Sequence, residues 1–240
     1  MTRPTARFGR FSVVLLDVDG TLVSAGGAGR RAIGLALAEL CGPVDGIVDR
    51  IRLDGMTDRL IVHEAFDALG RAFTDVVCDD VLSRYVLHLE REIRTAPGFE
   101  VLPGVESLLE TLTAIGRPFG LCTGNVVEGA RHKLARGGLD RWFEWTPEAI
   151  GGFGHDGEAR ERVVAAAVRR ASARLGREVA PAEVLVVGDT PRDVYAAHRV
   201  GCPALTVATG RHDAATLAAA GADRVVETLA HPAALEWLVE

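Results

Sequence analysis

Apolar positions along the chain follow two periods, and the period changes twice. Phe11 to Leu16 is a short, β-branched apolar run that ends in carboxylates, which predicts a buried strand whose C-terminal end carries chemistry. From about Arg30 to Arg94 apolar residues recur every three or four positions: Ile33, Leu37 and Leu40, then Leu60, Ile61, Phe66 and Leu69, then Val81, Leu82, Tyr85, Val86 and Leu89. That spacing predicts helices, and no strand is convincing within it. Pro97-Gly98 and Pro103-Gly104 then punctuate the chain. Beyond them the pattern predicts helices over 105–115, 126–137, 159–175, 194–200 and 214–220. Between these come strands over 119–123, 184–189, 205–208 and 224–226, with a further short strand inside 143–150.

Alternating strands and helices predict an α/β fold, a parallel sheet with helices on both faces. The helical block interrupts that alternation after the first strand, so it reads as an insert. The expected division is a core of residues 1–23 and 97–240 and a helical domain of residues 24–96. The first ten residues are polar and basic and predict a frayed start.

Composition narrows the function classes. A chain of 240 residues, 48% hydrophobic and 25% charged, is long enough for a buried core plus an insert. A net charge of −6 argues against nucleic acid as the main partner. The Phe11–Leu16 run is too short to span a bilayer, so no membrane association is expected. The four cysteines (Cys41, Cys78, Cys122, Cys202) form no CxxC pair and read as reduced thiols of a cytoplasmic protein. Lys133 is the only lysine; every other basic residue is arginine.

Three predicted strands end in polar residues: Asp17, Thr123 and Asp189. In open parallel sheets ligands bind beyond the carboxyl ends of the strands. In Asp17-Val-Asp-Gly-Thr, strand alternation puts Asp17 and Asp19 on one side and Val18 on the other. One such carboxylate can attack phosphorus while the other passes a proton to the leaving oxygen. Gly20 lets the backbone turn tightly beside a bound anion. Asp189 is available to a hard cation. Asp193, in Thr190-Pro-Arg-Asp, has capping-box spacing, so it either caps and supports the site or ligates directly. In Thr123-Gly124-Asn125 a hydroxyl and backbone N–H groups after a strand can hold a phosphoryl oxygen. Thr57 is a candidate substrate contact or a plain helix cap. Arg59 and the Arg30-Arg31 pair are candidates for a substrate anion, or solvated.

The ordered set Asp17-x-Asp-Gly-Thr, a strand ending in Thr123, and Gly188-Asp-x-x-x-Asp193 resembles the haloacid dehalogenase superfamily over nearly the whole chain. Gly188–Asp193 and Val207-Ala-Thr-Gly-Arg211 resemble its phosphoglycolate-phosphatase-like members. The resemblance implies a Rossmann-like core and an all-helical cap of the first type, with glycines 20, 26, 27 and 29 in the flap and hinge. It implies a Mg²⁺-dependent phosphatase acting on a small phosphate ester, with phosphoglycolate as the first substrate it suggests; a monomer or homodimer is expected. Asp17 would be the nucleophile and Asp19 the acid and base. Mg²⁺ would sit on Asp17, the Asp19 carbonyl and Asp189. Thr123 and Asn125 would hold the phosphoryl group. A balancing cation is also implied, with Arg160 favoured over Lys133 and Arg162. Asp19 argues against a dehalogenase. The lack of lysine in residues 24–96 argues against Schiff-base phosphonate chemistry. A phosphomutase, a nucleotide pyrophosphatase and a non-catalytic binding module remain alternatives.

Overall fold

The computed structural model describes residues 9–44 and 46–239. Most of the expected frayed start, residues 1–8, lies outside the described residues. The elements run in the order β1 (Val13–Leu16), β2 (Val23–Ala25), α1 (Ala28–Cys41), α2 (Ile47–Arg50), α3 (Asp58–Ala68), α4 (Asp75–Arg94), β3 (Phe99–Val101) and α5 (Val105–Ala114). They continue with β4 (Phe119–Cys122), α6 (Val127–Arg136), β5 (Gly151–Gly152), α7 (Arg160–Leu175), β6 (Val184–Gly188), α8 (Pro191–Val200), β7 (Ala204–Val207), α9 (Ala214–Ala219), β8 (Arg224–Val226) and α10 (Pro232–Val239).

Strand β1 is central because all four of its side chains are apolar and fully buried. Such a strand is stable only with a layer on each face. Its alternation divides the core: Val14 and Leu16 pack with Leu108, Leu109 and Leu112 of α5 and Leu134 of α6. Val13 and Leu15 pack with Val163 and Ala167 of α7 and Val194 and Ala197 of α8. The sheet order is β5-β4-β1-β6-β7-β8, all pairs parallel. Leu16 sits level with Leu121 on one side and Val187 on the other. The strands after β1 are laid down first on its β4 side and then, through α7, on its β6 side. The ends of β4, β1 and β6 therefore meet at the switch point, where the crevice of such a sheet opens.

A second cluster of buried residues lies in the helical block, with Ile33 and Leu37 of α1, Val62 and Phe66 of α3, and Val81, Tyr85 and Leu89 of α4. The chain enters and leaves this block side by side, because β2 and β3 pair antiparallel, Val23 opposite Val101. Gly26, at φ 56°, follows that crossing; a Cβ there would lie 2.2 Å from the Pro97 carbonyl oxygen.

Four local expectations change. No strand forms within 143–150; the edge strand is Gly151–Gly152, while Phe143 packs edge-on against Phe119 and Trp145. Helix α8 begins at Pro191, inside the capping box that the Thr190–Asp193 spacing suggests, and not near residue 194 where the helical pattern starts. Gly29, implied for the flap and hinge, lies inside α1. The β2–β3 pair was not foreseen. At the far end Leu238 is buried and Trp237 meets Phe11 edge-on at 5.3 Å, so the C-terminal helix packs on the core. Among the described residues no helix is long and apolar enough to cross a membrane.

Candidate active site

Asp17 follows directly on β1, and its N–H donates to the Val187 carbonyl across the strand pair. This holds its side chain level with the end of β6, where Asp189 begins the next loop. Val18 turns into the core, fully buried, which sends Asp17 and Asp19 to the other side as their spacing predicts. Gly20 has φ 77°, and a Cβ on it would lie 2.3 Å from Asp189 Oδ2. Gly210 approaches the same oxygen from the opposite loop, where a Cβ would lie 1.7 Å away. Asp189 thus sits between two loops that come this close only because both carry glycine.

The carboxylates of Asp17, Asp189 and Asp193 are all buried, with oxygen atoms within 4.8 Å of one another. Arg160, at the start of α7, enters this group: one guanidinium nitrogen lies 3.0 Å from Asp17 and 2.5 Å from Asp193. Burial pushes the Asp17 carboxyl up to about 6; Arg160 pulls against this, while Asp193 and Asp19 add to it. Asp189 is raised well above the usual carboxylate range, by burial first and then by Asp193 and Asp17. Both shifts express burial first, with neighbouring carboxylates adding to it. Asp193 uses Oδ2 on the Thr190 backbone and hydroxyl, at 3.0 and 2.7 Å, and Oδ1 on Arg160. Of its two anticipated roles, these contacts match capping and support.

A second network surrounds Asp19. Its Oδ2 accepts from Asn125 Nδ2 at 2.8 Å and from Lys133 Nζ at 2.6 Å. Lys133 also donates to Asn125 Oδ1 at 2.6 Å, and Asn125 Nδ2 reaches the Thr123 hydroxyl at 2.7 Å. Thr123 is fully buried after β4, and its N–H donates to Gly152. The Gly124 backbone lies against the helical block, where a Cβ would sit 2.0 Å from the Met56 carbonyl oxygen. Two of the three anticipated cations reach the site, Arg160 beside Asp17 and Lys133 beside Asp19, while Arg162 does not line the cavity.

Several anticipated contacts are spent elsewhere. The Thr57 hydroxyl accepts from Leu60 N–H and donates to the Glu158 carbonyl, so it caps α3 rather than facing the cavity. Arg59 pairs with Asp75 and Asp79, and Arg31 with Glu92. Arg30 donates to the Val48 and Ile51 carbonyls. The residue that sequence reasoning missed is Asp58. It is buried, its Oδ2 accepts from Val126 N–H at 2.8 Å, and its own N–H donates to the Gly124 carbonyl. Burial pushes its carboxyl up to about 6, against the pull of Lys133. In sequence Asp58 is an ordinary first-turn acid beside a capping threonine.

Asp17, Asp19, Asp58, Thr123, Asn125, Lys133, Arg160 and Asp189 line one cavity of about 460 Å³, together with the apolar Ile33, Leu53, Met56 and Ile61. The family model of haloacid dehalogenase-like hydrolases matches residues 11–201. Phosphoglycolate phosphatase of Rhodospirillum rubrum is 32% identical over 203 residues, 82% of this chain and 79% of that protein. Phosphoglycolate phosphatase of Cereibacter sphaeroides is 30% identical over 188 residues, 78% of this chain and 81% of that one. The crystal structure of a hydrolase from Pseudomonas syringae superposes with a TM-score of 0.68 at 25% identity, covering 92% of this chain and 94% of that one. The chain belongs to the haloacid dehalogenase-like hydrolase family and is an enzyme, a phosphatase of that family.

Proposed function

We propose that the enzyme is a Mg²⁺-dependent phosphomonoesterase that works through a phosphoryl group held transiently on Asp17. The observation that carries this reading is the buried group of Asp17, Asp189 and Asp193, with Arg160 the one cation paired to it among the described residues. An all-oxygen donor set carrying excess negative charge fits a small hard cation. Asp17, the Asp19 carbonyl and Asp189 would hold it, with Asp193 behind them. When bound, Mg²⁺ supplies charge neutralisation where the ester dianion approaches the carboxylates.

The chain's own residues account for the remaining chemistry. An Asp17 oxygen attacks phosphorus, the ester P–O bond breaks, and Asp19 gives its proton to the leaving alcohol oxygen. Water then attacks the phosphoryl group, Asp19 takes a proton from it, and the Asp17–phosphorus bond breaks to release phosphate. Asn125 and Lys133 grip Asp19 Oδ2, which leaves Oδ1 for the proton. Arg160 beside Asp17 orients the nucleophile and faces the transferring group; a planar fork suits both tasks. Thr123 and the Asn125 N–H take a phosphoryl oxygen. The helical block of residues 24–96 serves as the cap that closes over the ester and excludes water.

The test is phosphate release from a panel of esters, with and without Mg²⁺. Phosphoglycolate, from which the relatives take their name, belongs in the panel beside sugar phosphates, nucleotides and an aryl phosphate. Metal-dependent release is expected. Asp17→Asn abolishes it and Asp19→Asn lowers kcat by about 10²–10⁴-fold. Substantial turnover by the Asp17 variant would sink the covalent route.

A further inference from the structure

Beyond the Asp17 site the cavity lining includes apolar and acidic side chains from the helical block. Ile33, Leu53, Met56 and Ile61 supply the apolar part, and Asp54 and Asp58 the carboxylates. Each cation that lines the cavity among the described residues is already engaged. Arg160 lies on Asp17 and Asp193, and Lys133 on Asp19 and Asn125. Arg30 clamps the Val48 and Ile51 carbonyls, and Arg211, largely exposed at the rim, faces Asp54 at 3.6 Å. No free positive charge awaits a second anion on the substrate.

Asp58 is a polar group of that lining with a bonding capacity to spare. It is 7% exposed, and its Oδ2 is taken by Val126 N–H. Its Oδ1 has no hydrogen-bond partner among the described residues. Asp58 lines the cavity, so this oxygen is open to a donor there, and a substrate hydroxyl is such a donor. A substrate carboxylate would instead meet like charge at short range. The cavity of about 460 Å³ also has more room than a two-carbon leaving group fills.

We infer that Asp58 sets the substrate class of this site: it accepts a hydrogen bond from a hydroxyl of the leaving alcohol, which selects phosphate esters of neutral polyols and disfavours esters whose alcohol carries a carboxylate. The inference rests on the phosphomonoesterase reading above. Hydrogen bonds to charged groups of this kind discriminate by about 10- to 100-fold.

The test compares kcat/KM of the wild type for glycerol 3-phosphate, erythritol 4-phosphate and phosphoglycolate, with p-nitrophenyl phosphate assayed in the same preparation. At least one polyol phosphate is expected to exceed phosphoglycolate by tenfold or more, mainly through a lower KM. Asp58→Asn, which keeps an acceptor for Val126 N–H, should narrow that ratio by at least tenfold, chiefly by raising kcat/KM for phosphoglycolate. A wild type that turns over p-nitrophenyl phosphate but prefers phosphoglycolate overturns the inference and leaves the phosphomonoesterase reading intact. An unchanged ratio in a folded Asp58→Asn variant overturns the role of Asp58. A wild type that releases phosphate from no ester overturns the phosphomonoesterase reading itself.

Discussion

Replacing Arg160 by methionine fills most of its space while deleting the cation between Asp17 and Asp193. Both carboxylates are buried, and the guanidinium touches each at 3.0 and 2.5 Å. Removing one partner of a buried pair costs about 3–5 kcal/mol, because the other is left uncompensated. For a chain of this length each kcal/mol moves Tm by roughly 2–4 °C, so the expected drop at pH 8 is about 6–20 °C. The pH dependence has a definite sign. The Asp17 carboxyl already stands at about 6 against an ordinary 3.8, so the folded state holds its proton more tightly than the unfolded chain. Stability from that proton is fully present below the unfolded value and is lost as pH rises through the folded one. Without Arg160 the folded value rises further. The variant should therefore regain stability on going from pH 8 to pH 5.5 by more than the wild type does. Mg²⁺ should rescue it in part at pH 8, since a hundredfold excess over Kd contributes about 2.7 kcal/mol. Thermal melts followed by circular dichroism at both pH values, with and without Mg²⁺, measure all three effects. A drop below 2 °C at pH 8, equal in both buffers, would refute the idea that this guanidinium offsets buried carboxylates.

Two further substitutions test neighbouring parts of the site. Gly210→Ala puts a Cβ 1.7 Å from Asp189 Oδ2, so the loop or the carboxylate must move. A cost of about 1–3 kcal/mol in melting and a Mg²⁺ requirement raised at least tenfold in the phosphate-release assay are expected. Thr57→Ala removes the α3 cap and the tie to the Glu158 carbonyl, for a loss of roughly 1–2 kcal/mol read from urea midpoints. Wild-type stability in the Thr57→Ala protein would show that this end of α3 bears no load.

The central strands and their polar ends were legible because short apolar runs closed by Asp17, Thr123 and Asp189 carry their own signal. The helical block was legible from its three- and four-residue spacing. What escaped depends on neighbours in space. Strand β5 is two glycines, with no strand propensity of their own; they pair with β4 because the backbones crowd there, and a Cβ on Gly152 would lie 2.1 Å from the Val163 carbonyl oxygen. The aromatic residues Phe143 and Trp145, inside the segment where a strand is expected, serve ring packing instead. Pairing of β2 with β3 joins segments on either side of the helical block, and three residues are too few for alternation to register. Asp58 looks like any helix-start acid until α3 meets the loop at 124–126. Arg30, Arg31 and Arg59 looked equally apt for an anion, and only their partners show that they are taken.

The seam between α3 and the loop after β4 also bears on timing. Asp58 N–H to Gly124, Val126 N–H to Asp58, and Thr57 hydroxyl to Glu158 are three hydrogen bonds that any parting along this seam must break. At about 1 kcal/mol net each, the parted arrangement would make up under about 1% of the molecules. An ester that enters by this route would associate about a hundredfold more slowly, with its equilibrium affinity unchanged, because the closed arrangement holds it. Product phosphate would wait on the same rare event. The seam would then set the pace of release, and viscosity or loosening substitutions along it would register in kcat before any change in the chemical step.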